Sequence, residues 1–344
     1  MSDWNATACR SLSLAPTREA ILALLALSEA EAKATLFPAA DACRRARVGD
    51  AVFLRGIIEF SNHCSQDCLY CGLRRSNRGL GSYRMAAEEI LEAARRIKAE
   101  GIGTVVLQSG EDDFYTTEHL CRIVEGIKTE TGLAITLSVG ERPREAYLAF
   151  REAGADRYLL KFETTNPDLY GRLRPGLRLA DRLRCLDNLR DLGYEVGTGN
   201  MVGLPGQSLE TLAEDLWMLR ERDADMLGIG PFIPHPHTPL AGEPPGDLFL
   251  TLKALAVARL LTRNTNIPAT TALDTLGPGM RARALRAGAN VVMPDYTPLS
   301  YRRLYEIYPG RNRELAVDDF LQQLTEELSG IGRHIGTGRG SRER

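Results

Sequence analysis

The sequence has no long hydrophobic run and no excess of either charge. Its longest early apolar stretch, Ile21–Leu27, is flanked by charged residues, whereas a membrane-spanning helix needs about 20 apolar residues. Lysine and arginine number 43 against 45 aspartates and glutamates, for a net charge of −2. This balance gives no electrostatic reason to expect a nucleic-acid or membrane partner. The N-terminus also lacks the basic start and apolar stretch of a signal peptide, so we expect a cytoplasmic location.

The sequence also lacks the cysteine pattern of a secreted, disulfide-bonded protein. It contains 7 cysteines, and an odd number in a reducing compartment argues against a disulfide framework. Hydrophobic residues make up 44% and charged residues 26% of the chain, which is ordinary globular composition. Three of the cysteines, Cys64, Cys68 and Cys71, nevertheless lie close together. That clustering requires a chemical explanation.

Between residues 51 and 310, short apolar runs rich in valine and isoleucine alternate with amphipathic helical stretches. Glycine follows several of the helical stretches, as is typical of helix C-caps. The predicted strands lie at residues 53–60, 104–109, 134–139, 157–162, 195–202, 225–230, 267–271 and 290–293. Repeated strand–helix units predict an α/β fold whose parallel sheet closes into a complete (β/α)8 TIM-type barrel. An open doubly wound sheet is the alternative.

The chain divides into three predicted regions. Residues 1–50 form an N-terminal helical extension, because the apolar residues of Ile21–Leu27 fit one helical face. Residues 51–310 form the barrel. Residues 311–344 form a short C-terminal helix, within Val317–Leu328, and a basic tail that we expect to be frayed.

Functional residues of such barrels lie at the C-terminal ends of the strands. Many polar side chains of this sequence fall at those positions, and we expect them to face one cavity. They are Ser61, Asn62, Gln108–Glu111, Ser138, Glu163, Thr164, Asn200, Met201, His235, His237, Thr270, Thr271, Asp295 and Tyr296.

The three clustered cysteines form a C-x3-C-x2-C motif directly after the first predicted strand. A structural zinc site normally uses four ligands, and no second cysteine pair follows. Three thiolates suit a [4Fe–4S] cluster that leaves one iron open, which indicates a catalytic rather than a structural site. A zinc site completed by a distant histidine and three incidental cysteines are the alternatives.

This motif, with the aromatic Tyr70 before its last cysteine and a barrel around it, resembles that of the radical S-adenosylmethionine (SAM) superfamily. In that superfamily SAM chelates the open iron, and one-electron reduction cleaves it to methionine and a 5′-deoxyadenosyl radical. The resemblance implies two cofactors. One is a [4Fe–4S] cluster held by Cys64, Cys68 and Cys71, and the other is SAM.

Other segments resemble the SAM-binding parts of that superfamily. Gln108–Asp112 is similar to its Gly-Gly-Glu segment, and Glu163 stands where the family contacts the ribose or the amino-acid part of SAM. The guanidinium of Arg182 suits the SAM carboxylate, and Met201, in the glycine-rich stretch 197–207, can pack on the adenine. The implied cofactor-binding residues are Tyr70, Gln108, Gly110, Glu111, Ser138, Glu163, Arg182 and Met201.

A closer resemblance extends over residues 50–310 and is to the HydE family, the radical SAM maturases of the [FeFe]-hydrogenase H-cluster. The segments that carry it are Ile58–Asn62, Tyr70–Arg75, Tyr83–Met85, Leu107–Asp112, Gly154–Leu160, Gly228–Pro236 and Asn266–Thr271. Methylornithine synthase and biotin synthase share the cluster motif but resemble the chain less over Gly228–Pro236.

The HydE resemblance implies a substrate and partners. The radical would act inside the barrel on a cysteine-ligated Fe(CO)2(CN) precursor delivered by a partner maturase. A low-potential electron donor and other hydrogenase maturases are the further partners. Because this substrate is anionic, we predict contacts to it from cations and hydroxyls on inward-facing strand positions. The predicted catalytic residues are Ser109, Arg157, Lys161, Thr270 and Thr271.

Some features leave alternatives open. Arg55, Arg157 and Lys161 can instead cap the barrel floor or pair with acids. Many family members carry three further cysteines near the C-terminus, but Arg311–Leu328 has none, so no second cluster is predicted. The alternative functions are a methylornithine-synthase-like or biotin-synthase-like enzyme acting on an amino acid or small molecule, and a non-catalytic iron–sulfur scaffold.

Overall fold

The computed structural model describes residue 12 and residues 15–310 and 315–343, in which parallel strands alternate with helices. The strands are β1 (Ala51–Leu54), β2 (Gly56–Ser61), β3 (Thr104–Ser109), β4 (Ala134–Ser138), β5 (Arg157–Leu159), β6 (Glu195–Thr198), β7 (Met201–Val202), β8 (Met226–Leu227), β9 (Gly230–Pro231), β10 (Val291–Val292) and β11 (His334–Ile335). The α-helices of four or more residues are α1 (Arg18–Leu25), α2 (Phe37–Val48), α3 (Ala87–Ala99), α4 (Thr117–Thr131), α5 (Arg144–Glu152), α6 (Pro167–Leu173), α7 (Leu179–Asp191), α8 (Leu209–Glu221), α9 (Leu248–Thr262), α10 (Thr271–Leu276), α11 (Met280–Arg286), α12 (Leu299–Arg302) and α13 (Val317–Gly330). A helical turn at Glu29–Glu31 and a π-helical turn at Ala32–Leu36 lead into α2.

The sheet is parallel, as predicted, and the α/β class is confirmed. A continuous ladder joins six strands in the order β2-β3-β4-β5-β6-β8, and β1 pairs with β10. Single bridges at Met226–Asn266, Pro268–Val291 and Ile57–Asp295 connect β8 with β2 through β10. The strand predicted at residues 267–271 is therefore reduced to isolated bridges. Pro268 explains part of this, because proline has no N–H for a ladder hydrogen bond.

The N-terminal helices cover α9 and bury it on nearly every side. Phe37 of α2 meets Phe249 of α9 with ring centroids 5.4 Å apart. Lys253 of α9 donates to the Leu27 carbonyl at 2.8 Å, which satisfies an ammonium group that this packing removes from water. No helix among the described residues is long and apolar enough to span a membrane.

The C-terminal tail is not frayed, and that prediction was wrong. Strand β11 pairs with β1, and the residues after it cross the end of the barrel at which the strands begin. The Gly340 carbonyl accepts hydrogen bonds from Arg55 at 3.1 Å and Asn266 at 3.0 Å. The Arg339 carbonyl accepts from Arg157 at 3.0 Å. The tail is ordered because its backbone satisfies buried donors of the barrel floor.

Arg157 belongs to this floor, which corrects its prediction as a substrate contact. Its guanidinium also donates to Glu195 at 2.8 Å and to Thr104 at 2.9 Å. Arg157 begins β5 and Lys161 lies beyond its end, so at about 3.3 Å per extended residue the two are roughly 13 Å apart along the strand direction. Both side chains can face the interior, but Arg157 lies at the floor beside the tail and Lys161 lies at the opposite end, in the cavity.

Removing residues 336–344 tests the role of the tail. We expect a melting temperature lower by several degrees, because Arg55 and Arg157 would each lose a carbonyl acceptor, and a buried polar group left unpaired costs about 1–3 kcal/mol. Thermal unfolding followed by circular dichroism measures the change. Arg339→Ala is the matched control, since this side chain makes only a 3.4 Å contact with the Gly132 carbonyl. Equal melting temperatures for the truncated and full chains would contradict this role.

Candidate active site

The three clustered cysteines lie in the loop that follows β2. This loop is tied by backbone hydrogen bonds to three separate segments at the same end of the barrel. Ser65 donates to the Glu111 carbonyl at 2.8 Å, Leu69 to Leu173 at 2.9 Å and Gly72 to Ile307 at 3.0 Å. The loop is therefore held at several points along its length.

Gly110, directly after β3, allows the end of this strand to approach the cysteine loop closely. A Cβ atom at this position would lie 2.2 Å from the His63 carbonyl oxygen and 2.8 Å from Cβ of Cys64, so no larger residue fits without moving the loop. The next amide, that of Glu111, donates to Sγ of Cys64 at 3.4 Å. The predicted Gly110–Glu111 segment thus packs directly against the first cysteine.

The surroundings of the thiols favour their neutral form. Burial raises the pKa of Cys64 to about 11 and also raises the pKa of Cys68 and Cys71. The Arg174 guanidinium opposes this effect at Cys68 through its charge and a hydrogen bond. Buried thiols of this kind become thiolates when a metal supplies the positive charge.

The thiols fit a cluster better than a single ion. Within the part of the chain that the structure describes, no three histidine, cysteine, aspartate or glutamate side chains converge as they would around one metal ion. In a [4Fe–4S] cluster each thiolate binds a different iron, so the three sulfurs need not meet at one point.

A cavity of about 280 Å³ opens beside the third cysteine. It brings together many of the residues predicted from sequence, although they come from distant parts of the chain. The predicted residues that line it are Tyr70, Cys71, Gln108, Lys161, Glu163, Met201, Thr270 and Thr271. Residues that follow several of the parallel strands therefore line one site, where α/β folds of this kind place their functional residues.

Other predicted residues lie beside or behind this cavity. The Ser109 hydroxyl donates to the adjacent Gly110 carbonyl at 2.7 Å, and Ser138 pairs with Gln108 in the β3–β4 register. Arg182 lies behind the wall, where its Nε is 2.9 Å from Glu141 and its Nη2 is 3.8 Å from Glu111. The structure thus gives Arg182 a carboxylate partner within the protein.

Lys161 and Glu163 form an ion pair within the cavity, with Nζ and Oε2 3.0 Å apart. Glu163 has a φ of 69°, a left-handed conformation that is unfavourable for a residue with a side chain. Neighbouring backbone holds it there, because the Glu163 amide donates to Gly199 and the Met201 amide donates to the Glu163 carbonyl, each at 3.0 Å.

The sequence reasoning missed several residues of this region. Glu59 is buried and lines the cavity beside Ile57, and their spacing of two along β2 is the signal that could have shown it. Arg174, 5% exposed, contacts the Cys68 thiol. Asp215 is fully buried between apolar residues of α8. An acid on the apolar face of a helix is an anomaly that the sequence alone displays.

Comparison with known proteins decides the family. The model of the radical SAM superfamily matches residues 58–218. The chain is 54% identical over 295 residues to the [FeFe] hydrogenase maturase subunit HydE of Thermotoga maritima, covering 86% of this chain and 84% of that protein. This chain belongs to the HydE family. Membership of the radical SAM superfamily implies a [4Fe–4S] cluster and SAM as cofactors.

Two further kinds of protein resemble the chain in sequence or in fold. The 3-methylornithine synthase of Methanosarcina acetivorans is 32% identical over 272 residues, which cover 78% of this chain and 77% of that protein. The crystal structure of methylornithine synthase (PylB) superposes with a TM-score of 0.84 at 28% identity, covering 96% of this chain and 97% of that one. A crystal structure of the maturase HydG, at a TM-score of 0.80 and 17% identity, shares the fold.

Gly110→Ala tests the contact between β3 and the cysteine loop in this HydE-family chain. We expect a lower melting temperature of the metal-free protein, because the new methyl group would overlap the His63 carbonyl. Gly171→Ala is the matched control, since a Cβ atom there meets nothing within 4 Å and alanine favours the helix by about 1 kcal/mol over glycine. Differential scanning calorimetry measures both. A Gly110→Ala protein as stable as the control would refute the close contact.

Proposed function

We propose that this chain is a maturase of [FeFe]-hydrogenase that acts on a cysteine-ligated Fe(CO)2(CN) precursor inside the barrel. The observation that carries the proposal is a cavity that joins the last cysteine of the motif, Cys71, to Lys161, Thr270 and Thr271 at distant strand ends. The identity to HydE of Thermotoga maritima supports it. Other maturases that supply the precursor and a low-potential electron donor are the proposed partners.

The residues present fit both implied cofactors. Cys64, Cys68 and Cys71 would hold the cluster as its three protein ligands, and Tyr70, Gln108, Glu163 and Met201 line the adjoining space in which SAM would bind. When bound and reduced by one electron, cluster and SAM together supply the 5′-deoxyadenosyl radical. The chain contributes position and enclosure, because the apolar Leu159, Met226 and Phe232 also line the cavity and keep water from a reactive intermediate.

The charges of the cavity indicate what kind of substrate it holds. Of the described residues that line it, Lys161 alone carries a positive side chain, while Glu59 and Glu163 are acidic. We expected several cations here, but Arg55 and Arg157 bind the tail at the floor. A substrate that carried only negative charge would meet two carboxylates and one ammonium group. A cysteine-bearing complex offers an ammonium group as well as a carboxylate, and this fits the mixed set.

Donors and acceptors that line the cavity can then bind different groups of the substrate. Lys161, Thr270 and Thr271 are the donors suited to a carboxylate or a cyanide nitrogen. Glu59 on β2 is an acceptor suited to the ammonium group. The same mixed charges favour a second candidate function, an enzyme acting on a free amino acid, which the superposition on methylornithine synthase also supports.

Formation of 5′-deoxyadenosine distinguishes the two functions. The protein, reconstituted with iron and sulfide without oxygen and then reduced, is incubated with SAM alone, with cysteine-bound Fe(CO)2(CN), or with free amino acids. We expect the iron complex to stimulate cleavage strongly, because a filled cavity orients the substrate and excludes water. Stimulation by a free amino acid instead would favour the second function. Cleavage unaffected by either would contradict both.

Cys68→Ala tests the proposed cluster ligands. We expect this protein to retain little iron after reconstitution and to form no 5′-deoxyadenosine, since two thiolates cannot replace three. Cys121→Ala is the control, because Cys121 lies on α4 outside the cysteine loop and should leave iron content unchanged. Iron and sulfide analysis with electron paramagnetic resonance of the reduced protein gives the readout. A full cluster in Cys68→Ala would overturn the ligand assignment.

A further inference from the structure

Asp215, in the middle of α8, is a buried carboxylate that the proposed chemistry does not use. It is 0% exposed, and burial raises its pKa to about 6 although several hydrogen bonds oppose the shift. Burying a carboxylate is costly unless its oxygens are well satisfied. Its partners in the structure are neutral donors from two loops, and each loop carries a residue of the cavity wall.

The first loop follows Glu163. Oδ1 of Asp215 accepts from the Thr165 amide at 2.6 Å, from the Thr165 hydroxyl at 2.7 Å and from the Thr164 hydroxyl at 3.4 Å. These bonds fix the two residues directly after the left-handed Glu163. A strained backbone conformation persists only where the surroundings determine it, and Asp215 is part of those surroundings.

The second loop surrounds the short strand β7, which begins at Met201. Oδ2 of Asp215 accepts from Gln207 Nε2 at 2.9 Å and from Asn200 Nδ2 at 3.5 Å. Gln207 in turn donates to the Met201 carbonyl at 2.9 Å and accepts from the Gly203 amide at 2.8 Å. A short chain of hydrogen bonds therefore connects Asp215 to the backbone of Met201.

The two loops also contact each other, through the 3.0 Å bond from the Met201 amide to the Glu163 carbonyl. Oδ1 of Asp215 accepts hydrogen bonds from the first loop and Oδ2 accepts them from the second. We propose that Asp215 is a positioning residue for the SAM site, whose two carboxylate oxygens hold Glu163 and Met201 in the arrangement that SAM binds. That the occupant is SAM rests on the proposed function. Holding the loops in place beforehand reduces the ordering cost of binding.

A purely structural role for Asp215 makes a different prediction. A buried hydrogen-bonded acid can stabilise the fold without affecting the cavity, and its replacement would then lower the melting temperature while the folded protein bound SAM as before. The positioning role predicts weaker SAM binding at temperatures where the variant is fully folded. The dissociation constant therefore separates the two roles.

Asp215→Asn is the informative variant. Asparagine has the same size, and its oxygen can still accept from Thr165, but its amide nitrogen would face Gln207 Nε2, donor against donor. The Met201 loop should therefore be released more than the Glu163 loop. Glu214→Gln is the matched control, because it removes a neighbouring acid of α8 whose bond to Arg18 at 2.5 Å lies on the surface, where such pairs contribute little.

Equilibrium dialysis of radiolabelled SAM against the reconstituted, unreduced proteins measures binding without cleavage. We expect Asp215→Asn to raise the dissociation constant at least about tenfold, with the same iron content as Glu214→Gln. An unchanged constant would falsify the positioning role. Should Asp215→Asn fail to fold, Gln207→Ala leaves the bonds from Asp215 to Thr164 and Thr165 in place and removes the side-chain bonds that link Asp215 to Met201 and Gly203. There too we expect weaker binding. Unchanged binding in that variant would equally overturn the proposal.

Hydrogen–deuterium exchange of the metal-free protein separates this inference from the proposed function. The Asp215→Asn protein should exchange the Met201 and Gly203 amides faster than Glu214→Gln, whereas amides of the distant β4 should be unchanged. If the wild-type protein bound no SAM, the proposed function would fail. In that case faster exchange would still support the positioning of the loops. Equal exchange in the two variants would contradict it.

Discussion

The register between β2 and β3 is the constraint on which the site depends. Ser61 lies opposite Ser109 after an irregularity that follows Glu59, so both strands end at the same level. The next residues, Gly110 and the cysteine loop, must then pass within contact distance. A slip of one residue would turn Glu59 away from the cavity and separate Cys64 from the Glu111 amide. The missing side chain at Gly110 is what permits the observed approach.

The two ends of the barrel use their charged residues differently. At the floor, Arg55 and Arg157 are buried and each donates to a tail carbonyl, and Arg157 also donates to Glu195 and Thr104. At the opposite end, Lys161 alone among the described lining residues is cationic, and it is paired with Glu163. The cavity therefore has no excess of positive charge to attract an anion. Its selectivity has to come from placing acceptors and donors where a ligand with both charges can meet them.

The sequence was sufficient for the class of fold, the cysteine motif and much of the cavity wall, because each depends on local spacing. Lys161 follows β5, Met201 begins β7 and Thr270 precedes α10, and the α/β fold brings the three together at one cavity. The role of Arg157 was not predictable, because an inward-facing position at the start of β5 suits a substrate contact as well as a bond to the tail, and the sequence does not show where the tail runs. The tail path was not predictable either, because a glycine-rich basic segment shows no periodicity and its order comes from buried donors elsewhere. Asp215 acts through contacts between loops that are far apart in sequence.

The ion pair between Lys161 and Glu163 connects the two halves of the cavity. Glu163 lies towards the cysteine loop and Met201, whereas Lys161 packs near Gly228 and faces the barrel interior. Each charge is partly removed from water, so each depends on the other more than a surface pair does. A ligand cation that bound the Glu163 carboxylate would therefore compete with the Lys161 ammonium group for the same partner. The left-handed backbone of Glu163, held by its bonds to Gly199 and Met201, keeps the carboxylate within reach of Lys161.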